Sequence, residues 1–386
     1  MKAKSIKGKS TEEISFALTE CMAHDFKPTL AIVFLSVKQD REAISKLLDE
    51  KAIQIFGVTT AGEFIDGEIE EGSIAMLLLD INPAYFKIAF IETSQETAFD
   101  DAKKLGINGR EAFTNPAFII ANSGVTLDGE PFVEGILQGV GKNPSLHNDE
   151  LNIFGGKAAD DMALEATYVF TNSNNSNCAI IGLIIDEDKI DVQGIATCGW
   201  KAIGTTKTVT KSEGSIVYTI DDKPALDMLM NYLGVEIKQD ETKEIVPFLS
   251  SWYYPLEVTR ENADTVIRTA MFANRIDRSF ICSGQVPQGS KIKFSLPPDF
   301  DSIDTVVSDC KSIKDAQQKA DALIMFSCVS RYLSFGVVIK EEVEQVQKIW
   351  NAPMAGFFSY GEYGKSKTGK NEYHNNTCCV VALKEK

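Results

Sequence analysis

Two short turns, far apart in the 386-residue chain, share an order of small, hydroxyl-bearing and acidic residues. The first reads Gly-Val-Thr-Thr-Ala-Gly-Glu-Phe over residues 57–64, and the second reads Gly-Phe-Phe-Ser-Tyr-Gly-Glu-Tyr over residues 356–363. Glycine lets the backbone approach a ligand closely, hydroxyls donate and accept hydrogen bonds, and carboxylates accept from an ammonium group. The pattern predicts a pocket for a small zwitterion such as an amino acid. Its predicted ligand-binding residues are Thr59, Thr60, Gly62, Glu63, Ser359, Tyr360, Gly361 and Glu362.

The two glutamates have two alternative interpretations. Each carboxylate can brace its own turn by accepting backbone N–H groups. Alternatively, Glu63 and Glu362 can face each other as a general acid and a general base, as in glycosidases. No G-x-S-x-G, H-E-x-x-H, P-loop or G-x-G-x-x-G occurs in the sequence, and the three histidines stand in separate contexts, which disfavours a Ser-His-Asp triad. The sequence therefore predicts that the protein is not an enzyme and has no catalytic residues.

Three further residues complete the predicted site. Arg331 follows a predicted strand, at the edge where α/β sheets bind ligands, and its guanidinium can hold a ligand carboxylate with two hydrogen bonds. The alternative for Arg331 is an internal salt bridge to Glu63 or Glu362. His374 and Asn375 precede the last predicted strand, where they either line the pocket or form an ordinary capped turn.

The same order of elements surrounds both turns. A continuous apolar run at 30–35 is typical of a strand buried on both faces, and a helical periodicity at 41–51 follows it. The segments 322–326 and 341–350 repeat this strand and helix before the second turn. A weaker third copy covers residues 117–185, with its small-residue turn displaced by one position.

These repeated strand–helix–strand units predict an α/β fold with layered mixed sheets flanked by helices. The internal duplication predicts two lobes, and ligands often bind where two lobes meet. The intervening region differs from the units. It is predicted to hold a helix at 224–234, which starts with proline and stops with glycine, and antiparallel strands at 265–296.

The composition excludes several classes of partner and site. A net charge of −16 disfavours nucleic acid and anionic membrane surfaces, because both require a basic footprint. The first 15 residues lack the apolar run of a secretory signal, and no stretch approaches the roughly 20 apolar residues of a membrane span. None of the eight cysteines forms a C-x-x-C pair, so no zinc site is predicted. A cytoplasmic protein without a bound metal is expected.

Several segments, in order, resemble the FIST (F-box and intracellular signal transduction) family. The matching segments are the first turn at 57–64, a Gly-Trp-Lys segment at 199–204, an Asp-x-x-Pro-Ala-Leu segment at 221–234, a C-terminal signature at 326–331 and 356–362, and a closing motif at 373–377. The likeness spans residues 28–383 and implies an N-terminal domain at 28–216 and a C-terminal domain at 217–386.

The resemblance implies an intracellular sensory protein for small ligands, amino acids among them, that signals through a separate partner such as a histidine kinase. Some members of the family bind haem and sense nitric oxide. Haem, with His374 as an axial ligand, is therefore an alternative to the prediction of no cofactor. A third possibility is an adaptor that docks a signalling partner without any ligand.

Overall fold

The computed structural model describes residues 1–23, 25–141, 151–236, 243–260 and 265–386. Within these residues the fold is mixed α/β, with four sheets and helices packed against them. The predicted layered α/β class is confirmed. The described chain contains one repeated unit three times, so the weaker copy expected from the sequence is also present.

The first unit occupies residues 2–80. Its elements are β1 (Lys2–Gly8), α1 (Thr11–Cys21), β2 (Leu30–Ser36), α2 (Arg41–Asp49), β3 (Gln54–Thr60), β4 (Glu63–Ile65), β5 (Glu68–Glu70) and β6 (Ile74–Asp80). A single 3-10 turn (Pro83–Tyr85) leads to the second unit. That unit comprises β7 (Phe86–Glu92), α3 (Ala98–Ala112), β8 (Pro116–Asn122), α4 (Glu130–Val140), β9 (Ile153–Lys157), β10 (Val169–Phe170), β11 (Asn175–Ser176) and β12 (Ala179–Asp186).

The third unit begins with β13 (Ile190–Thr197) and is then interrupted by an insertion. The insertion contains β14 (Ala202–Glu213), β15 (Ile216–Ile220), β16 (Lys223–Pro224), α5 (Ala225–Leu233), β17 (Ile245–Pro247), a 3-10 helix (Leu249–Tyr253), β18 (Leu256–Thr259), β19 (Val266–Arg268), β20 (Ala270–Asn274), β21 (Phe280–Cys282) and β22 (Lys291–Ser295). The third unit resumes with α6 (Phe300–Ala316), β23 (Ala322–Cys328), α7 (Val329–Phe335), a 3-10 turn (Gly336–Val338), α8 (Ile339–Trp350), β24 (Met354–Ser359), β25 (Glu362–Lys365), β26 (Asn371–His374) and β27 (Cys378–Glu385).

Each unit builds the same four-stranded core. Its second strand is parallel to its third, and its last strand runs antiparallel between the first and second, as in the order β1-β6-β2-β3. The orders β7-β12-β8-β9 and β13-β27-β23-β24 repeat this pattern. The parallel pair requires a helical crossover, which α2, α4 and α8 provide.

The three units exchange their short hairpins in a cycle. The β4–β5 hairpin of the first unit joins the third sheet next to β24, the β25–β26 hairpin of the third joins the second sheet next to β9, and the β10–β11 hairpin of the second joins the first sheet next to β3. Each six-stranded sheet therefore needs a neighbouring unit for completion, which ties residues far apart in sequence into one body. We call this the three-unit body.

The central strands are apolar on both faces because each face meets a different core. On β2, Ile32 and Phe34 face a core shared by all three sheets, whereas Val33 and Leu35 face the unit's own helices. The shared core includes Phe34 with its ring centroid 4.8 Å from that of Phe357. Continuous runs such as 30–35 follow from this double burial.

The inserted strands form a nine-stranded antiparallel sheet with a core of its own, which we call the inserted sheet. It is tied to the three-unit body through β19. The buried guanidinium of Arg268 forms an ion pair with Glu130 and donates to the carbonyl of Tyr373 (3.1 Å). Thr269 donates to the side chain of Asn376 (2.6 Å). Buried polar hydrogen bonds are thus part of this junction.

Candidate functional site

The turns after β3, β9 and β24 meet at one place, so the fold does bring the two Gly-Glu turns together. The joining backbone hydrogen bonds run from Ala61 N to Phe358 O (3.0 Å), from Ala159 N to Thr59 O (2.8 Å) and from Lys157 N to Gly361 O (2.8 Å). The hydroxyl-bearing residues of the first and third turns are buried. The meeting point is therefore a packed centre between the three sheets.

Each glutamate of these turns is buried and closes its own turn. Glu63 accepts hydrogen bonds from the Thr60 hydroxyl and from the backbone N–H (2.9 Å) and hydroxyl (2.7 Å) of Ser73. Glu362 accepts in the same way from the hydroxyl of Ser359 (2.6 Å) and from the N–H (3.2 Å) and hydroxyl of Thr377. This is the bracing role that was the alternative to ligand binding.

No Lys or Arg within the described part of the chain forms an ion pair with either carboxylate. Burial raises the pKa of Glu63 to about 7 and that of Glu362 to about 8, although hydroxyl and N–H donors oppose the shift. Both groups can therefore carry a proton near neutral pH. Glu63 and Glu362 each sit beside hydroxyl groups of their own unit, and neither lines the large cavity described below.

Local geometry explains why glycine occupies positions 62 and 361 in the two turns. Gly62 has a φ of +118°, a conformation that favours glycine. At Gly361 a Cβ atom would lie 2.1 Å from the hydroxyl oxygen of Tyr373. Thr59, beside the first turn, accepts a hydrogen bond from the N–H of Tyr168 (2.8 Å). These contacts account for the residue types through packing within the protein.

Arg331 lies in α7 and is fully buried against Glu342 of α8. Its Nε donates to Glu342 Oε1 (3.1 Å), and its Nη1 donates to the carbonyls of Cys198 (2.6 Å) and Asn376 (3.0 Å). The sequence offered an internal salt bridge from Arg331 to Glu63 or Glu362 as an alternative. An internal salt bridge is present, but its partner is Glu342. Glu342 lies on the buried face of α8 beside Val343, so the helix brings this carboxylate to the guanidinium.

His374 and Asn375 are buried in the turn before β27. The Nε2 atom of His374 is 3.3 Å from the carbonyl of Gly364, and the side-chain oxygen of Asn375 has no hydrogen-bond partner among the described residues. Neither residue lines the large cavity. The other two histidines, His24 and His147, lie outside the described residues.

A cavity of about 690 Å³ lies between the three-unit body and the inserted sheet. Its volume falls in the range typical of small-molecule sites, and apolar walls with a few polar groups are typical of them too. The lining residues of the three-unit body are Gln95, Val125, Thr126, Leu127, Asp128, Lys157, Leu164 and Tyr360. Those of the insertion are Glu213, Gly214, Ser215, Ile216, Ile245, Met271, Phe272, Ile281, Cys282, Ser283, Gly284 and Gln285.

The charged groups that the three-unit body contributes to this cavity come from the loop after β8 and the end of β9, and the insertion contributes Glu213. Lys157 Nζ donates to the carbonyls of Val125 (2.8 Å) and Leu127 (2.6 Å). Burial lowers the pKa of Lys157 from 10.5 to about 8, and the nearby carboxylate of Asp128 opposes this. Asp128 itself accepts a hydrogen bond from the side chain of Gln285 (2.8 Å) across the junction.

Of the eleven residues predicted to bind a ligand, Tyr360 is the one that lines the large cavity. Its hydroxyl donates to Asp160 of the second unit. Prediction from sequence missed Lys157 and Asp128. The signal for Lys157 lay in the weaker copy at 117–185, which is the second unit of the structure, where a lysine interrupts the small residues of the turn at 155–160. Asp128 carried no comparable signal.

The family is shown by comparison with protein-family models. The FIST N domain matches residues 29–223, and the FIST C domain matches residues 225–365. The chain therefore belongs to the FIST domain family. FIST domains generally sense small ligands in signal transduction and are not known as catalytic domains. A comparison with curated proteins gave no match.

Helices able to span a membrane and clusters of metal ligands are both absent from the described residues. None of the helices there combines the length and the apolar character that crossing a bilayer requires. No cluster of three or more His, Cys, Asp or Glu side chains is arranged to hold a metal ion there.

Proposed function

We propose that this FIST protein senses a small polar ligand, such as an amino acid, that binds in the cavity between the three-unit body and the inserted sheet. The observation that carries the proposal is the cavity itself. It has the volume of a ligand site, it lies where two separately built bodies meet, and its lining combines apolar side chains with charged and polar groups.

The lining suits a ligand with one polar end. Lys157 and Asp128 supply opposite charges on the three-unit body. Ile216, Met271 and Ile281 supply an apolar surface on the inserted sheet. A zwitterion with an apolar side chain can satisfy both surfaces, since its charged groups pair with the first and its side chain is removed from water by the second.

The position of the cavity also provides a route from binding to signalling. A ligand there touches both bodies, and Gln285 and Asp128 line the cavity and join the bodies by a hydrogen bond. A ligand that binds one arrangement of this junction more tightly shifts the population towards it. We expect a separate signalling protein, with a histidine kinase as one candidate in the cytoplasm, to recognise that arrangement.

A thermal-shift screen with amino acids and related metabolites tests the proposal. A ligand at one hundred times its Kd stabilises the folded state by about 2.7 kcal/mol, which raises the melting temperature measurably. Ser215→Trp, which places a large side chain in the cavity, should abolish the shift. The matched control is Ser212→Trp on the same hairpin, because Ser212 does not line the cavity.

The result that would contradict the proposal is a complete absence of stabilisation across the screen, or stabilisation that both tryptophan variants retain. Binding of a signalling protein without any such ligand would then favour the ligand-free adaptor. A Soret band that appears on adding haem and disappears in His374→Ala would favour the haem alternative.

A further inference from the structure

The three repeated units provide an internal comparison of the same backbone position. In the strand ladders, Thr60 of the first unit, Lys157 of the second and Ser359 of the third occupy equivalent sites at the end of the third strand. Three residues later each unit has an acid, namely Glu63, Asp160 and Glu362. In the first and third units the hydroxyl donates to that acid and closes the turn.

The second unit departs from this arrangement. The ammonium of Lys157 forms its hydrogen bonds with two main-chain carbonyls of the loop after β8 rather than with Asp160. Asp160 is satisfied without it, by the backbone N–H groups of Leu164 (3.0 Å), Glu165 (2.7 Å) and Ala166 (2.8 Å). The turn therefore does not need a lysine for its own closure.

The ammonium of Lys157 is costly where it lies. The residue is only 4% exposed, and within the described ranges no carboxylate lies at ion-pair distance from its Nζ atom. A buried charge without a counter-ion opposes folding. Its two hydrogen-bond acceptors are neutral, and an ammonium has three N–H groups. Of the three equivalent residues Thr60, Lys157 and Ser359, the one that carries this cost, Lys157, is also the one that lines the cavity.

We propose that Lys157 binds the carboxylate of the ligand, and that the ligand is an organic acid with an apolar body. This inference rests on the proposed function, because it assigns a chemical class to the ligand of the same cavity. The ligand's carboxylate supplies a partner at ion-pair distance from the ammonium, closer than the nearby charge of Asp128. Its apolar body lies against Ile216, Met271 and Ile281 of the inserted sheet.

Matched compounds with one carbon skeleton test which charge is recognised. For leucine and phenylalanine, each amino acid is compared with the acid that lacks the amino group (4-methylpentanoate, 3-phenylpropanoate) and the amine that lacks the carboxyl group (3-methylbutylamine, 2-phenylethylamine). The binding of each compound to the full chain is measured by calorimetry. We expect the carboxylate-bearing compounds of at least one series to bind and both amines to fail.

Variants of Lys157 test whether its side chain binds the carboxylate of the ligand. Lys157→Met should weaken binding of the acids at least tenfold, and Lys157→Gln, which keeps a donor without the charge, should do the same. Lys87→Met is the matched control, because Lys87 is an exposed lysine on the same six-stranded sheet, and it should bind as the wild type does.

A pH series adds a readout that a purely structural role would not change. Affinity for an acid should fall as the pH rises above about 8, because the lysine loses its charge. The titratable groups that also line this cavity are Asp128, Glu213, Cys282 and Tyr360, and burial raises the pKa of Cys282 to about 12. If titration of Lys157 causes the fall in affinity, the affinity of Lys157→Gln for the acids should not fall above pH 8.

Three outcomes would overturn the inference: the amines bind and the acids do not, the Lys157 variants bind the acids as tightly as the wild type, or none of the six compounds binds at millimolar concentration. If the broader screen then finds a neutral or cationic ligand that Ser215→Trp excludes, the proposed function stands and only the chemical class is wrong.

Discussion

Replacing Lys157 by methionine should change the pH dependence of stability in a way that follows from its burial. The side chain keeps its length and loses its charge, its titration and its two hydrogen bonds to the loop after β8. The folded chain holds the lysine with a pKa lowered from 10.5 to about 8. Between these values the unfolded chain keeps a proton that the folded chain has released, so stability rises as the pH rises.

The expected magnitude follows from that difference in pKa. At 1.36 kcal/mol for each pH unit, the buried ammonium costs the unliganded fold about 3 kcal/mol below pH 8, and this cost disappears by about pH 10.5. The methionine variant avoids the cost at every pH, but loses two hydrogen bonds worth about 1 kcal/mol each. We therefore expect the variant to be about 1 kcal/mol more stable than the wild type at pH 7, and about 2 kcal/mol less stable at pH 10.5.

Urea unfolding of the unliganded proteins, followed by tryptophan fluorescence at pH 7, 8, 9, 10 and 10.5, measures the effect. The informative quantity is the difference in unfolding free energy between wild type and variant, because groups common to both cancel. Lys87→Met serves as the control for the loss of an exposed lysine from the same sheet. If Lys157→Met gives a difference that does not vary with pH, its ammonium is not penalised in the fold, and the reasoning that assigns it to a ligand fails.

Two further predictions concern buried carboxylates outside the cavity. Glu342→Ala should destabilise the protein by about 3–5 kcal/mol, because it leaves the buried Arg331 without a counter-ion. Glu344 on the same helix pairs with surface lysines, so Glu344→Ala should cost much less, and equal urea midpoints for the two variants would contradict a structural role for Arg331. Because burial raises the pKa of Glu362 from 4.5 to about 8, the folded chain keeps a proton that the unfolded chain releases, so wild-type stability falls as the pH rises between these values. Glu362→Gln should remove up to about 4 kcal/mol of that fall in stability. The prediction is refuted if the urea midpoints of the variant and the wild type differ by the same amount at pH 5 and at pH 8.

Local sequence patterns predicted the helices and strands well, because burial on both faces and helical periodicity both leave a pattern within a short stretch of consecutive residues. The apolar runs at 30–35 and 322–326 lie in β2 and β23, and the helix expected at 224–234 is α5, which ends at Gly234 in the left-handed conformation. The helix α7, which holds Arg331, was missed because it follows β23 without an intervening turn. The proposed binding role of the Gly-Glu turns stays a prediction.

The cavity could not be predicted in the same way, because its walls come from segments that only the tertiary structure brings together. The loop after β8 and the end of β9 belong to the second unit, whereas Met271 and Ile281 belong to the insertion. No periodicity links these positions. Pairing of each hairpin with a different unit is likewise a long-range property, although the repeated order of elements was visible in the sequence.

The cyclic exchange of hairpins gives a physical reason why the strongest sequence motifs, the Gly-Glu turns, need not lie at the ligand-binding site. Three equivalent turns must meet at the centre of the three-unit body, and each must satisfy buried polar groups there. Repetition of hydroxyl and carboxylate in the first and third turns meets this requirement within each unit. A position that all three units share is therefore expected to serve the common structure, and a function unique to one face of the body must come from a unit that breaks the pattern. Lys157 is such a break, and it lies on the face that the inserted sheet covers.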